Sequence, residues 1–214
     1  MVSFTNFARK VRDTSLPYGH RMVSLRSCVQ LYRPIGFEAT VSYLAYRAGP
    51  FRQDEAALLR ALELIEAGRA AWQAELSVYA AERREAKRRG SRTPRPGDRN
   101  PNAPEYWYGA PREAALHAVG HWRVRLRRAG RLTDELSRAV DRLAAACLEA
   151  QGALDPGERG RLAACVEELK QRMAPPAYRD DAATYFQCRD LLRVAQHIRT
   201  AGEMRHGAVE RAHD

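Results

Sequence analysis

From residue 54 to residue 89, apolar side chains return at intervals of four and three. Leu58, Leu62, Ile65, Trp72, Leu76 and Tyr79 follow the series, Arg69 stands at its one missing position, and Arg83 continues it. An α-helix turns once in ~3.6 residues, so this spacing predicts one stripe along a helix about ten turns long. Asp54 is placed to cap its start and Gly90 to end it. Arg69 reads either as a side chain that lays its stem on the core and keeps its charge in water, or as a device that fixes register with a partner helix.

The same period recurs downstream. Pro111 suits the first turn of a helix running to about Arg128, with the stripe Ala115, Val119, Trp122 and Leu126 and with Gly130 as its end. A helix from near Thr133 carries Leu132, Leu136, Val140, Leu143 and Cys147, and Gly152 breaks it. Asp155, Pro156 and Glu158 form a capping-box pattern that opens a returning helix with Leu162, Cys165, Val166, Leu169 and Met173. Pro175 and Pro176 end that arm, and a last helix from about Asp181 to Ala201 presents Tyr185, Cys188, Leu192, Ala195 and Ile198.

Near the amino terminus the pattern is weaker. Leu16 to Tyr32 and Phe37 to Arg47 read as helices broken at Arg33-Pro34-Ile35-Gly36, although Val41, Thr40 and Tyr43 also fit a strand over 38–44. A helix-turn-helix over 21–48 is a second reading, but it needs a tight turn of about three residues, and the positions of Pro34 and Gly36 fit that badly.

These periods predict an all-α protein. Residues 1–89 form an N-terminal helical section that includes the long helix 54–89, and residues 90–104, with four prolines and almost nothing apolar, form a linker. Residues 105–201 form a C-terminal bundle of about four helices, followed by a frayed tail over 202–214.

Composition narrows the class. The chain is 45% hydrophobic and 29% charged over 214 residues, enough apolar material for a core. No apolar run approaches the ~18–20 residues of a membrane-spanning helix, and the first residues lack the apolar block of a secretory signal, so a cytoplasmic protein without membrane contact is expected. Cys28, Cys147, Cys165 and Cys188 make no CxxC pair and read as free buried thiols; Cys147 and Cys165, on facing helices, are the one pair that disulfide geometry would have to test.

Charge changes the picture most. Residues 83–131 hold fourteen basic and four acidic groups, a net +10 that equals the net charge of the whole chain, whereas 132–214 is net −2. All but Lys10, Lys87 and Lys170 of the basic residues are arginine. The candidate nucleic-acid-binding residues are Arg84, Lys87, Arg88, Arg89, Arg92 and Arg95 in one block and Arg123, Arg125, Arg127 and Arg128 in another, with Trp107 in the aromatic cluster between them. Planar guanidinium groups suit bidentate contact with phosphate, and aromatic rings stack on unpaired bases. The expected partner is nucleic acid bound without base-specific reading; the rival is a homodimer or helical protein partner held by the 58–79 stripe.

Catalytic signatures are sparse. Glu113, His117 and His121 share one helix face, but that face lies opposite the apolar stripe beside Arg125 and Arg128. Exposure and neighbouring cations argue against a metal there, and no cofactor is expected. With no glycine-rich phosphate loop, paired-carboxylate motif or Ser-His-Asp order, the sequence leans away from an enzyme.

Overall fold

The computed structural model describes residues 3–91, 93, 111–174 and 181–203, and among these it contains eight helices and no strand. The chain divides into two compact units, Met1–Ala110 and Pro111–Asp214.

In the first unit, α1 (Phe4–Arg12), α2 (Tyr18–Leu31), α3 (Phe37–Ala48) and α4 (Glu55–Arg88) pack so that α2 touches the other three. Sequence reading had not anticipated α1. Ser3 caps it by accepting the Asn6 N–H at 3.3 Å, and Phe4, Ala8 and Val11 form its buried stripe. Residues 38–44 are helical and not a strand: Ala39, Thr40, Tyr43 and Leu44 share one face that is buried in the unit. The connection from Tyr32 to Gly36 buries Pro34 and Ile35 and reaches φ +86 at Gly36, so it is longer than the tight turn a helix-turn-helix requires.

The long helix starts where expected. The Asp54 carboxylate accepts the N–H groups of Ala56 and Ala57 at 3.0 and 3.1 Å, and Gly90 lies at φ +88 past the other end. Its stripe divides in two. Ala57, Leu58, Ala61, Leu62, Ile65 and Gly68 are buried in the unit's core, whereas Trp72, Leu76 and Tyr79 are only half-buried. Arg69 marks the division. Its guanidinium lies 4.7 Å from the centre of the Phe4 ring and donates to Gln73 Oε1 at 3.1 Å, so the seam arginine covers the edge of the core.

The second unit contains α5 (Pro111–Arg128), α6 (Glu135–Glu149), α7 (Pro156–Arg172) and α8 (Ala182–Glu203), with α8 packed against the other three. The expected capping box of Asp155 with Glu158 opens α7, and a second one, Asp134 with Ser137, opens α6. All four cysteines are buried and free. Burial pushes the Cys28 thiol up to about 12 and the Cys147 thiol up to about 11, which keeps both protonated and inert at neutral pH.

Candidate nucleic-acid interface

The first arginine block forms the last turns of α4. Arg84, Lys87, Arg88 and Arg89 are exposed, and Arg88 and Arg89 both lean on Glu85, at 3.5 and 3.1 Å. Arg84 and Lys87 have no ion-pair partner among the described residues. The partial negative charge at a helix C-terminus favours cations here. Arg92, Arg95 and Trp107 lie outside the described residues.

The second block is more closely constructed. At about 100° per residue, the solvent arc of the last turns of α5 runs through Arg123, Arg127, Val124, Arg128 and Arg125, leaving Trp122 and Leu126 on the core side. Arginine occupies that arc except for Val124, which is 48% exposed. Two carboxylates, the half-buried Asp141 and the buried Asp190, hold the arginines on either side. Asp141 of α6, 11% exposed in its side chain, accepts from Arg123 at 3.0 Å and from Arg127 at 3.0 and 2.5 Å. Asp190 of α8, 10% exposed in its side chain, meets Arg131 at 2.8 Å, Arg189 at 3.4 Å and Arg193 at 3.7 Å. Between them, Trp122 has Arg125 at 5.2 Å and Arg193 at 5.8 Å from its ring centre.

Asp141 and Asp190 therefore do two things at once. They neutralise part of the block, and they fix forked guanidinium groups that would otherwise sample many rotamers. Five arginines (123, 127, 131, 189 and 193) share two carboxylates here and Arg125 and Arg128 stand beside them, so positive charge remains in excess. Arg128 has no ion-pair partner among the described residues, and Arg125 has only the Trp122 ring. Arg189 and Arg193 were not among the sequence candidates. Their signal is the spacing Arg189-Asp190-Arg193 on one helix, hidden within a segment of net negative charge.

Glu113, His117 and His121 continue the same α5 arc toward its start, but they are half-buried rather than fully exposed as expected. Burial and the neighbouring His121 lower the His117 pKa, against the opposing pull of Glu113, so His117 adds no positive charge at neutral pH. No group of three or more His, Cys, Asp or Glu side chains among the described residues is arranged to hold a metal ion.

No protein-family model, curated protein or solved structure matches this chain. The site is thus read from its own chemistry.

Asp141 makes that chemistry measurable. Burial would raise its pKa, but hydrogen bonds from Arg127 and Arg123 outweigh it, and the carboxyl titrates below its ordinary 3.8. A folded value below the unfolded one contributes stability that is fully present above the ordinary value and is lost as the pH falls through the lowered one. Thermal melts of wild type and Asp141→Asn should differ at neutral pH and converge as acid takes the pH down through the lowered value. An equal gap at neutral pH and below that value would show that the ion pairs do not hold α5 to α6.

Proposed function

We propose that the protein is a cytoplasmic, nucleic-acid-binding accessory protein that contacts the phosphate backbone without reading bases. The observation that carries this reading is the α5–α8 surface, where arginines outnumber the two carboxylates that hold them. Arrayed, pre-oriented guanidinium groups with residual charge are what a phosphate backbone requires. The α4 tip, with Arg84, Lys87, Arg88 and Arg89, is a second basic surface that serves the same chemistry. Among the described residues no helix is long and apolar enough to cross a membrane.

Fluorescence anisotropy with a labelled oligonucleotide duplex tests the reading. Affinity should fall steeply with salt, with each phosphate contact contributing about 0.9 to the logarithmic slope. Arg125→Ala and Arg128→Ala should each weaken binding about tenfold and flatten the slope by about one contact. Neither residue has a carboxylate partner among the described residues, so both variants should fold normally. Arg84→Ala with Lys87→Ala measures the share of the α4 tip separately. Salt-independent binding, or no binding, removes the reading.

The rival reading is supported by one observation: beyond Trp72, which still packs on the buried Tyr32 ring at 5.8 Å, the α4 stripe continues with Leu76 and Tyr79 only half-buried. A helical partner or a second copy would be held there and not along 58–65. Light scattering of Tyr79→Asp against wild type discriminates the two, since a dimer lost in that variant with unchanged nucleic-acid affinity favours the rival.

A further inference from the structure

Where α4 leaves the core of the first unit, a groove of ≈ 420 Å³ opens between it and α1. Phe4, Thr5, Arg9 and Arg12 line it from α1, and Glu66, Arg69 and Gln73 from α4. Its lining is dominated by guanidinium donors, and its carboxylate and amide oxygens are already engaged. Glu66 is engaged by Arg12 at 2.8 and 2.5 Å, and Gln73 Oε1 is taken by Arg69. Arg9 has no ion-pair partner among the described residues, and Arg69 is held over the Phe4 ring with most of its five donors unused.

We propose that this groove binds a terminal phosphate group, either free or as the ester of a small organic molecule. Three guanidinium groups against one carboxylate leave the lining net +2, which matches a dianionic terminal phosphate better than the single charge of a backbone diester. Glu66 holds the Arg12 fork and Phe4 the Arg69 plane, so two of the three cations are oriented before a ligand arrives. Phe4, Ala8 and Ala70 supply an apolar surface for an organic group, and the volume falls in the range of small-molecule sites. Glu63, which acts on Arg12 electrostatically, does not line the groove. Beneath it, the buried Cys28 thiol stays protonated, so the groove binds without offering a nucleophile. The inference is independent of the nucleic-acid reading, whose carrying observation, the α5–α8 surface, lies in the other unit.

Calorimetric titration of the full chain with inorganic phosphate and with ribose 5-phosphate, at constant ionic strength, tests it, with amide NMR shifts to locate the site. Shifts should cluster at Thr5–Arg12 and Glu66–Gln73. Arg9→Ala, which removes an exposed side chain and leaves the fold intact, should weaken binding at least fivefold, whereas the Arg125→Ala, Arg128→Ala double variant should leave it unchanged. Tighter binding of the ester identifies an organic phosphate as the occupant, and binding of phosphate alone identifies the free anion. Shifts elsewhere, unchanged affinity in Arg9→Ala, or no binding of either probe overturns the proposal.

Discussion

Replacing Leu62 with aspartate is expected to unfold the first unit rather than to separate a complex. Leu62 is 0% exposed, on the half of α4 that packs against α1, α2 and α3. Truncating a buried leucine alone costs ~2–5 kcal/mol. A carboxylate in its place adds the cost of desolvating a charge, and the buried Arg21 of this unit is already engaged by Glu55 and the Val11 carbonyl. Domains are stable by about 5–15 kcal/mol, so the substitution removes much or all of that margin. Circular dichroism should show lost helix and a collapsed melting transition. Tyr79→Asp, at a half-buried position on the same stripe, should shift the melt little. If Leu62→Asp instead melts like wild type and changes only the oligomeric state, the inner stripe is an interface and its packing has been misread.

That contrast shows where sequence reasoning succeeds on this chain. Helix ends were legible because capping is local. Asp54, Asp155 and Gly90 act within a few residues of themselves, and each is found where its chemistry placed it. Periodicity also identified the face of α4 that looks toward the core. It carried no information on how far neighbouring helices extend along that face, so the division at Arg69 was invisible. The nine-residue α1 escaped because a helix that short is held by its neighbours and not by its own propensity, and three buried residues among Arg9, Lys10 and Arg12 make a faint pattern.

The site was legible as charge and illegible as geometry. Counting by segment located the 123–128 block. It did not reveal that Arg127 meets an aspartate 14 residues on, or that Arg131 meets one 59 residues on. Those distances are bridged only when α6 and α8 pack against α5. For the same reason, Arg189 and Arg193 were averaged into a segment of net −2. A net count discards the positions of the charges within it.

Gly152→Ala should destabilise the second unit by about 3 kcal/mol, although it adds a single methyl group. Sequence reading assigned this glycine only the ending of a helix. In the structure it has two further constraints. Its φ of +89 lies in the region where an L side chain is strained, at a cost of ~1–3 kcal/mol. A Cβ placed there would also stand 2.7 Å from the Ala201 carbonyl oxygen and 3.1 Å from its carbon. These are backbone atoms of α8, the helix on which α5, α6 and α7 all pack, so relief requires the connection after α6 to move away from α8. Arg112 adds to the rigidity, since its guanidinium donates to the carbonyl of Gln151, the residue before the glycine. Gly130→Ala provides the control: it also has positive φ, +63, but a Cβ there meets nothing within 4 Å, so only the strain contributes. Denaturant melts should place the Gly152 variant well below the Gly130 variant. Equal losses would mean that α8 yields at no cost and that the close approach does not constrain the bundle.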